Sequence, residues 1–366
     1  MIKLLYILPE LYLTNGITSY VMNHYERLDH TKFSVDFLIA KGADKKYLDI
    51  IEGNQDKIIQ TPKINDAHYK QFRKHAKEVF STTKYDIVHS HDFNWGMPYL
   101  REAKKQGVKV RIFHAHSMKG SEKFFKRVRN DIFIPRTVRA ANELFACSSI
   151  AGHKFFKKKP FYLAHNAINK ALFLYSEKLR KEIKEELAID SSKKVIGYFG
   201  RFNERKNTLF LLSIMKEIIK TRTDIHLLLI GHGALQEEIF RIVAEDNLED
   251  YVSVLDPRDD IYRYYSVLDL FILPSLYEGL PVVGVEALFN GVPQLYSNNI
   301  TKEINLLNTI TYLNIHDDIN VWVTEVLKLV DKKVNRKEVD LSKLVNYDIE
   351  KQAKVLENKY IELVNK

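Results

Sequence analysis

Two consecutive α/β domains, each on an open parallel sheet, are what this sequence predicts. Three observations carry that expectation. Apolar runs of strand length alternate with amphipathic helical stretches, the same pattern restarts near residue 190, and 366 residues are too many for one ordinary core but comfortable for two.

In the first half the expected strands are Lys3–Leu8, Ser34–Ile39, Asp86–His89, Val108–Phe113, Leu144–Ala146 and Phe161–Ala164. Several are continuous apolar runs, as strands covered on both faces require. Helical stretches such as Thr18–Leu28 and Asp66–Phe80 separate them, in the order of a doubly wound sheet. In the second half Val195–Phe199, His226–Ile230, Val252–Leu255 and Leu270–Leu273 read as strands, and Asn207–Lys220, Leu235–Glu245, Asp259–Tyr265 and Val282–Phe289 as helices. The junction is expected within Asn166–Ser176, giving domains at 1–168 and 169–345. Ala353, Leu356, Tyr360 and Leu363 recur at helical spacing and predict a last helix over Tyr347–Val364.

Hydrophobic content of 45% and charged content of 28% are those of a soluble globular chain. The single cysteine, Cys147, forbids an internal disulfide and fits a reducing compartment. It also excludes a zinc cluster built on cysteines. The opening MIKLLYILPE is too short for a signal sequence and reads as a first buried strand. No segment approaches the roughly 20 apolar residues of a membrane span, so a cytoplasmic protein is expected.

The net charge of +9 is concentrated. Lys119, Lys123, Lys126, Arg127, Arg129, Arg136, Arg139, Lys154, Lys157, Lys158 and Lys159 face only Glu122, Asp131 and Glu143 between positions 119 and 159. Such a cluster attracts phosphates or an anionic bilayer, or is a solvated helical face. Phe124, Phe125, Ile132, Phe133 and Ile134 interleave with the cations, as in an amphipathic surface helix. No zinc finger, RNA-binding aromatic motif or basic zipper accompanies them, and nucleic acid is not expected as a partner.

The most informative segment is Pro274–Pro293, PSLYEGLPVVGVEALFNGVP. The strand Leu270–Leu273 ends in a turn with Glu278 and Gly279, and a helix begins near Pro281, a residue suited to a first helical turn. Ligands of such sheets gather at the carboxyl ends of strands. An acid in the turn can bond ligand hydroxyls, the helix start after Gly279, Leu280 and Pro281 offers free backbone N–H groups, and Glu286 lies one to two turns on. Capping by Glu278 and a surface place for Glu286 is the structural alternative.

Glu278 and Glu286 stand with seven residues between them, in EGLPVVGVE. This resembles the E-x7-E signature of the large retaining glycosyltransferase family 4, whose two-domain fold is called GT-B. The likeness covers nearly the whole chain, including LPS before the motif and GVP after it, and is strongest to bacterial enzymes of capsule and exopolysaccharide assembly. It implies two facing Rossmann-like domains, the first on the acceptor side and the second holding the nucleotide-sugar, with a C-terminal segment, 346–366, packing back on the first. It implies contacts from Glu278 to the donor sugar's hydroxyls and from Glu286 to the ribose hydroxyls.

Gly200–Lys206, GRFNERK, directly follows the strand Val195–Phe199. Arg201 and Lys206 could meet a diphosphate and stabilise the charge growing on it as the sugar bond breaks, and the resemblance implies that role. Thr14–Asn15–Gly16 follows the first strand, where Gly16 would let backbone approach a phosphate; the family often has two adjacent glycines there. Gly231 and Gly233 would clear space for a nucleotide, and Arg258 sits where the family meets the base. His89 and His91 end one strand, and His114 and His116 another. Their alternate spacing resembles a metal site, but no carboxylate is patterned with them and the family needs no metal. The resemblance implies a histidine near the transferred sugar. His114 and His116 both fit, with His114 preferred, and His89 and His91 are packing or acceptor-side residues.

The expectation is therefore transfer of a sugar, with retention, from a nucleotide diphosphate-sugar to a hydroxyl of a polysaccharide, teichoic-acid or lipid-linked acceptor. The resemblance implies UDP as the nucleotide, no other cofactor and no metal. The rivals are an inactive partner subunit of an active glycosyltransferase and a nucleotide-sugar hydrolase or epimerase.

Overall fold

The structure is a computed structural model. It describes residues 1–13, 15–62, 69–116 and 124–366, without the side chains of 124–129. Thr14, Lys119, Glu122 and Lys123, the start of the helix expected at Asp66, and the side chains of Phe124, Phe125, Lys126, Arg127 and Arg129 thus lie outside the described residues. The chain divides into two compact units, Met1–Ala167 with Ile349–Lys366, and Ile168–Asp348.

The first unit contains β1 (Ile2–Leu8), α1 (Gly16–Tyr25), β2 (Phe33–Ile39), α2 (Lys45–Gly53), β3 (Lys57–Gln60), α3 (Tyr69–Thr82), β4 (Ile87–Ser90), α4 (Gly96–Lys105), β5 (Val110–Ala115), α5 (Phe124–Ala140), β6 (Glu143–Ala146), α6 (Ser149–Phe156) and β7 (Tyr162–Leu163). The strands form one parallel sheet in the order β3-β2-β1-β4-β5-β6-β7. Leu4, Tyr6 and Leu8 enter the core on one face of β1, and Leu5 and Ile7 the core on the other. Both faces are therefore covered, and the continuous apolar run of β1 follows from that.

The second unit contains α7 (Lys170–Phe173), α8 (Glu177–Glu186), β8 (Lys194–Phe199), α9 (Thr208–Ile218), β9 (Ile225–Ile230), α10 (Gln236–Glu245), β10 (Val252–Leu255), β11 (Leu270–Leu273), α11 (Val282–Asn290), β12 (Gln294–Ser297), β13 (Ile310–Leu313) and α12 (Ile319–Val330). Its parallel sheet runs β10-β9-β8-β11-β12-β13. A single core extends through it, with Trp322 of α12 fully buried. The last helix, α13 (Ile349–Asn365), belongs to the first unit: Leu356, Tyr360 and Leu363 are buried in the same core as Leu4 and Tyr25.

Several elements differ from the sequence reading. β3 and β13 are edge strands with half-exposed residues, and β12 buries Gln294 and Ser297 beside Leu295 and Tyr296. None of the three carries the apolar run or clean alternation that marks a strand. Residues Ile261–Val267 form a 3-10 helix, not the α-helix expected at Asp259–Tyr265. Tyr264, Tyr265, Ser266 and Val267 are buried in succession there, so no single apolar stripe exists. β5 lies two residues later than expected, which puts His114 inside the strand and His116 just beyond it.

Candidate functional site

In the second unit, β8 and β11 are neighbours from which the chain winds in opposite directions, to β9 and β10 on one side and β12 and β13 on the other. A crevice at the carboxyl ends of the central strands follows from that reversal. Two loops enter it, 200–207 after β8 and 274–281 after β11.

The first loop is built on backbone geometry. Gly200 has φ +149°, a conformation that side chains disfavour. The Tyr198 hydroxyl donates to the Arg201 carbonyl at 2.9 Å. Phe202 is fully buried; its N–H donates to the His232 carbonyl at 3.0 Å, and its carbonyl accepts from Leu235 at 3.1 Å. Gly231 and Gly233, expected to clear space for a nucleotide, lie against this loop. A Cβ on Gly231 would lie 1.8 Å from the Gly200 carbonyl oxygen, and one on Gly233 would lie 2.2 Å from that of Phe202. On the side that a Cβ would occupy, both glycines are packed against the neighbouring loop. Asn203 then caps a short 3-10 turn, Glu204–Lys206, by accepting from the Lys206 N–H at 3.0 Å.

The two loops are joined directly. Leu276 donates its N–H to the Arg205 carbonyl at 2.8 Å, and the Asn207 side chain donates to Pro274 at 3.4 Å. Lys206 Nζ lies 2.6 Å from Glu278 Oε1, with both residues buried. Burial alone would raise the Glu278 pKa, but the charges of Lys206 and then Arg205 outweigh it and hold the carboxyl below its usual range. The sequence reading singled out Lys206 and Arg201 but missed Arg205, whose guanidinium lies 5.6 Å from the centre of the Tyr277 ring. Its signal was its position, one residue before Lys206 in the same basic run. Arg201 is partly buried in the same loop. Three cations thus stand in six residues, a concentration suited to a diphosphate.

Beyond Glu278, the buried residues Gly279, Leu280 and Pro281 lead into α11. Pro281 is the residue before the helix, with φ −69° and ψ 123°. The amides of the first helical turn have no helical carbonyl to reach, which leaves the dipole's positive end for an anion or hydroxyl. Glu286, in the second turn, accepts from the Tyr265 hydroxyl at 2.5 Å. Burial pushes its pKa up to about 7, and the Tyr265 bond opposes only part of that shift. Arg258, after β10, is bound by Asp260 at 2.8 Å and lies 3.6 Å from Glu186, with its guanidinium 4.9 Å from the Tyr264 ring centre.

In the first unit, Gly16 is exposed and is the first residue of α1. The Asn15 side chain accepts from Ile17 at 2.9 Å as the N-cap and donates to Glu10 at 2.7 Å. The four strand-end histidines form two rows. His89 and His114 meet edge to edge, Nε2 to Nδ1, at 3.2 Å, and His91 Nδ1 meets His116 Nε2 at 2.7 Å. The rows stack, with centroids 4.3 Å apart for His89 and His91 and 4.0 Å for His114 and His116. Side chains two apart on a strand share a face, and β4 and β5 are adjacent, so alternate spacing produces this block. Burial lowers the pKa of all four, that of His116 to about 3, and keeps the rings neutral. His89, His91 and His114 each place a ring nitrogen within 4.8 Å of the others, which makes them the group able to hold a metal among the described residues.

Comparison with known proteins places this geometry. Residues 14–172 match the family model described as Glycosyltransferase Family 4, and residues 193–332 match Glycosyl transferases group 1. The chain belongs to glycosyltransferase family 4. This glycosyltransferase is 29% identical to EpsF of Bacillus subtilis (strain 168), a protein provisionally named a glycosyltransferase, over 94% of its own length and 93% of EpsF. It is 24% identical to the Escherichia coli UDP-Gal:alpha-D-GlcNAc-diphosphoundecaprenol alpha-1,3-galactosyltransferase, over 96% and 95% of the two chains. Among solved structures, Anabaena HepE in complex with UDP-glucose superposes with a TM-score of 0.76 over 100% of both chains at 14% identity. The fold of this glycosyltransferase is therefore GT-B, two Rossmann-like α/β domains. Among its described residues, no helix is long and apolar enough to cross a membrane.

Proposed function

We propose that this glycosyltransferase transfers a sugar from a UDP-sugar, with retention of configuration, to a hydroxyl of a lipid-linked or polymeric cell-surface glycan. The observation that carries the reading is the junction of the two second-unit loops, where Arg201, Arg205 and Lys206 stand with Glu278 at the carboxyl ends of β8 and β11. In this reading the cations bind the diphosphate and stabilise the charge that develops on it as the glycosidic bond breaks. Glu278 orients the sugar hydroxyls. Glu286 accepts from the ribose hydroxyls. Gly279, Leu280 and Pro281 bring the start of α11 to the donor. Arg258 lies at the base, and Gly16 offers the first amide of α1 to a phosphate. His114 or His116 contacts the transferred sugar. No protein nucleophile is required: the acceptor attacks on the face the diphosphate leaves, and the departing diphosphate takes the acceptor proton.

UDP as the nucleotide is supported by HepE, a fold relative whose complex holds UDP-glucose, and by the E. coli relative, whose name specifies UDP-Gal and a diphosphoundecaprenol-linked acceptor. An acceptor of that kind sits at a membrane, and Arg136, Arg139, Lys154, Lys157, Lys158 and Lys159 are exposed on the first unit together with Ile132. We read them as a docking face for anionic lipid, tested by sedimentation with anionic and neutral vesicles.

The deciding experiment is a thermal-shift series with UDP-, GDP- and ADP-sugars. A ligand of the native state raises its apparent stability. A UDP-sugar is expected to raise the melting temperature in the wild type and not in Arg201→Ala. No shift with any nucleotide-sugar would remove the donor site from this loop pair.

A further inference from the structure

Tyr360, on the terminal helix α13, is buried at the head of a hydrogen-bond chain that ends on His114. Its hydroxyl lies 3.1 Å from the Tyr6 hydroxyl and 2.7 Å from His89 Nδ1. His89 Nε2 lies 3.2 Å from His114 Nδ1. The far nitrogen of His114, Nε2, is buried with no partner among the described residues. Tyr6, His89 and Tyr360 are within 1% of complete burial, so water does not complete their bonding.

A neutral imidazole has one donor and one acceptor nitrogen, so each proton placement fixes the next. Two arrangements satisfy the distances. In the first, Tyr6 donates to Tyr360, Tyr360 donates to His89 Nδ1, His89 Nε2–H donates to His114 Nδ1, and His114 carries its proton on Nε2. In the second every donor is reversed: His114 Nδ1–H donates to His89, His89 Nδ1–H to Tyr360, and Tyr360 to Tyr6. The second leaves the Tyr6 hydroxyl proton buried with no acceptor, in addition to a bare His114 Nε2. The first leaves one orphan, the His114 Nε2–H. An unmet buried donor carries its full desolvation cost, so the first arrangement wins.

We propose that Tyr360 is a positioning residue that, through His89, holds His114 as the Nε2–H tautomer, and that His114 therefore acts as a hydrogen-bond donor to a hydroxyl or phosphate oxygen of the ligand, not as a base. Two other buried polar atoms without a partner among the described residues belong to rings packed against it. The Tyr20 ring stands edge-on to His114 at 4.8 Å and carries an unpartnered hydroxyl, and His91, 5.2 Å from His114, has an unpartnered Nε2. Three unmet polar groups on mutually packed, buried rings point to a ligand with several oxygens, such as a sugar. The identification of that ligand rests on the proposed transferase reading; the tautomer does not.

The test is nitrogen-15 spectroscopy of the histidine rings in the full chain, with His114 assigned by His114→Gln. In the wild type, His114 is expected to show a protonated Nε2 and a bare Nδ1. Tyr360→Phe removes the donor that sets the direction. Tyr6 then loses its acceptor in both arrangements, each has two buried donor orphans, and the His114 shifts are expected to move towards a mixture. Tyr6→Phe keeps the Tyr360-to-His89 bond and is expected to leave the wild-type pattern, which controls for loss of a buried hydroxyl. A protonated Nδ1 in the wild type, or an unchanged pattern in Tyr360→Phe, overturns the proposal. In turnover assays Tyr360→Phe is expected to lose on the order of fivefold to tenfold in kcat/KM, the worth of one hydrogen bond, and Tyr6→Phe to stay near wild type. An altered tautomer with unchanged turnover would retain the relay and remove His114 from the ligand.

Discussion

Lys206 Nζ and Glu278 Oε1, 2.6 Å apart and 72 positions apart in sequence, tie the loop after β8 to the loop after β11. A buried ion pair is a poor source of stability compared with apolar packing, but breaking one side of it leaves an uncompensated charge. Lys206→Met and Glu278→Leu are each expected to destabilise the protein by about 3 kcal/mol. The double variant Lys206→Met/Glu278→Leu is expected to lose less than the sum by more than about 1 kcal/mol, since the two residues share one interaction. Denaturant unfolding of the four proteins measures the coupling. Strictly additive losses would mean that the pair is not formed in solution.

The two carboxylates of the E-x7-E motif were legible in sequence, but not what each would meet. Spacing put Glu278 at a strand end and Glu286 in a helix, because a strand, a turn and a helix have fixed repeats. It carried no information on Tyr265, which lies on an aromatic 3-10 segment and reaches Glu286 only through the fold. Lys206 and Glu278 were assigned separately, since a pairing between loops depends on strand order, and strand order is a long-range property. Gly231 and Gly233 carried a turn signal that suits ligand space and backbone packing equally well; the close approach to Gly200 and Phe202 is a long-range contact that the signal does not contain. The histidine pattern was visible, yet a shift of two residues in β5 decides which ring lies inside the strand.

Glu286 makes stability and ligand binding depend on pH in opposite senses. Its folded-state pKa is raised to about 7 from 4.5. The folded protein therefore holds the proton more tightly than the unfolded chain, and the resulting stability is full below about pH 4.5 and lost as pH rises through about 7. Glu286→Gln removes this dependence, so the stability of the variant relative to wild type is expected to rise by about 2 kcal/mol between pH 4.5 and 8, allowing for partial solvent access to the side chain. A ribose hydroxyl needs the carboxylate as acceptor, so UDP-sugar affinity is expected to strengthen over the same rise in the wild type and to stay flat in Glu286→Gln. Calorimetry at pH 6 and pH 8 distinguishes the two proteins, and a flat wild-type affinity would remove Glu286 from the ribose.

Gly231→Ala and Gly233→Ala test whether these glycines serve packing. Each added methyl meets backbone of the neighbouring loop, which cannot move aside as a side chain can. Losses above about 2 kcal/mol are expected for each. Gly53→Ala is the control, because nothing lies within 4 Å of its added Cβ and it ends the helix α2; it is expected to be neutral or stabilising by about 0.5 kcal/mol. Wild-type stability in Gly231→Ala would show that the loop after β8 is free to shift.

Turnover is expected to continue without a divalent metal. Arg201, Arg205 and Lys206 supply three positive charges on one loop, and a diphosphate so neutralised can leave without a metal ion to accept its charge. The competing site is specific: His89, His91 and His114 bring ring nitrogens within 4.8 Å of one another, and neutral imidazoles are the ligand state that zinc takes. In the described arrangement, however, the facing nitrogens are engaged with one another, at 3.2 Å for His89 and His114 and 2.7 Å for His91 and His116. Of the three, His89 has both ring nitrogens engaged, by Tyr360 and His114, so an ion held by all three rings would break one of those two bonds. Activity after exhaustive EDTA treatment and dialysis is expected to stay within about twofold of the starting value, an effect below that of one lost hydrogen bond. Loss restored by magnesium or manganese would put a metal at the diphosphate. Loss restored by zinc and abolished in His91→Gln would put it in the histidine block, in which case the block is a metal centre and the tautomer relay is its apo form.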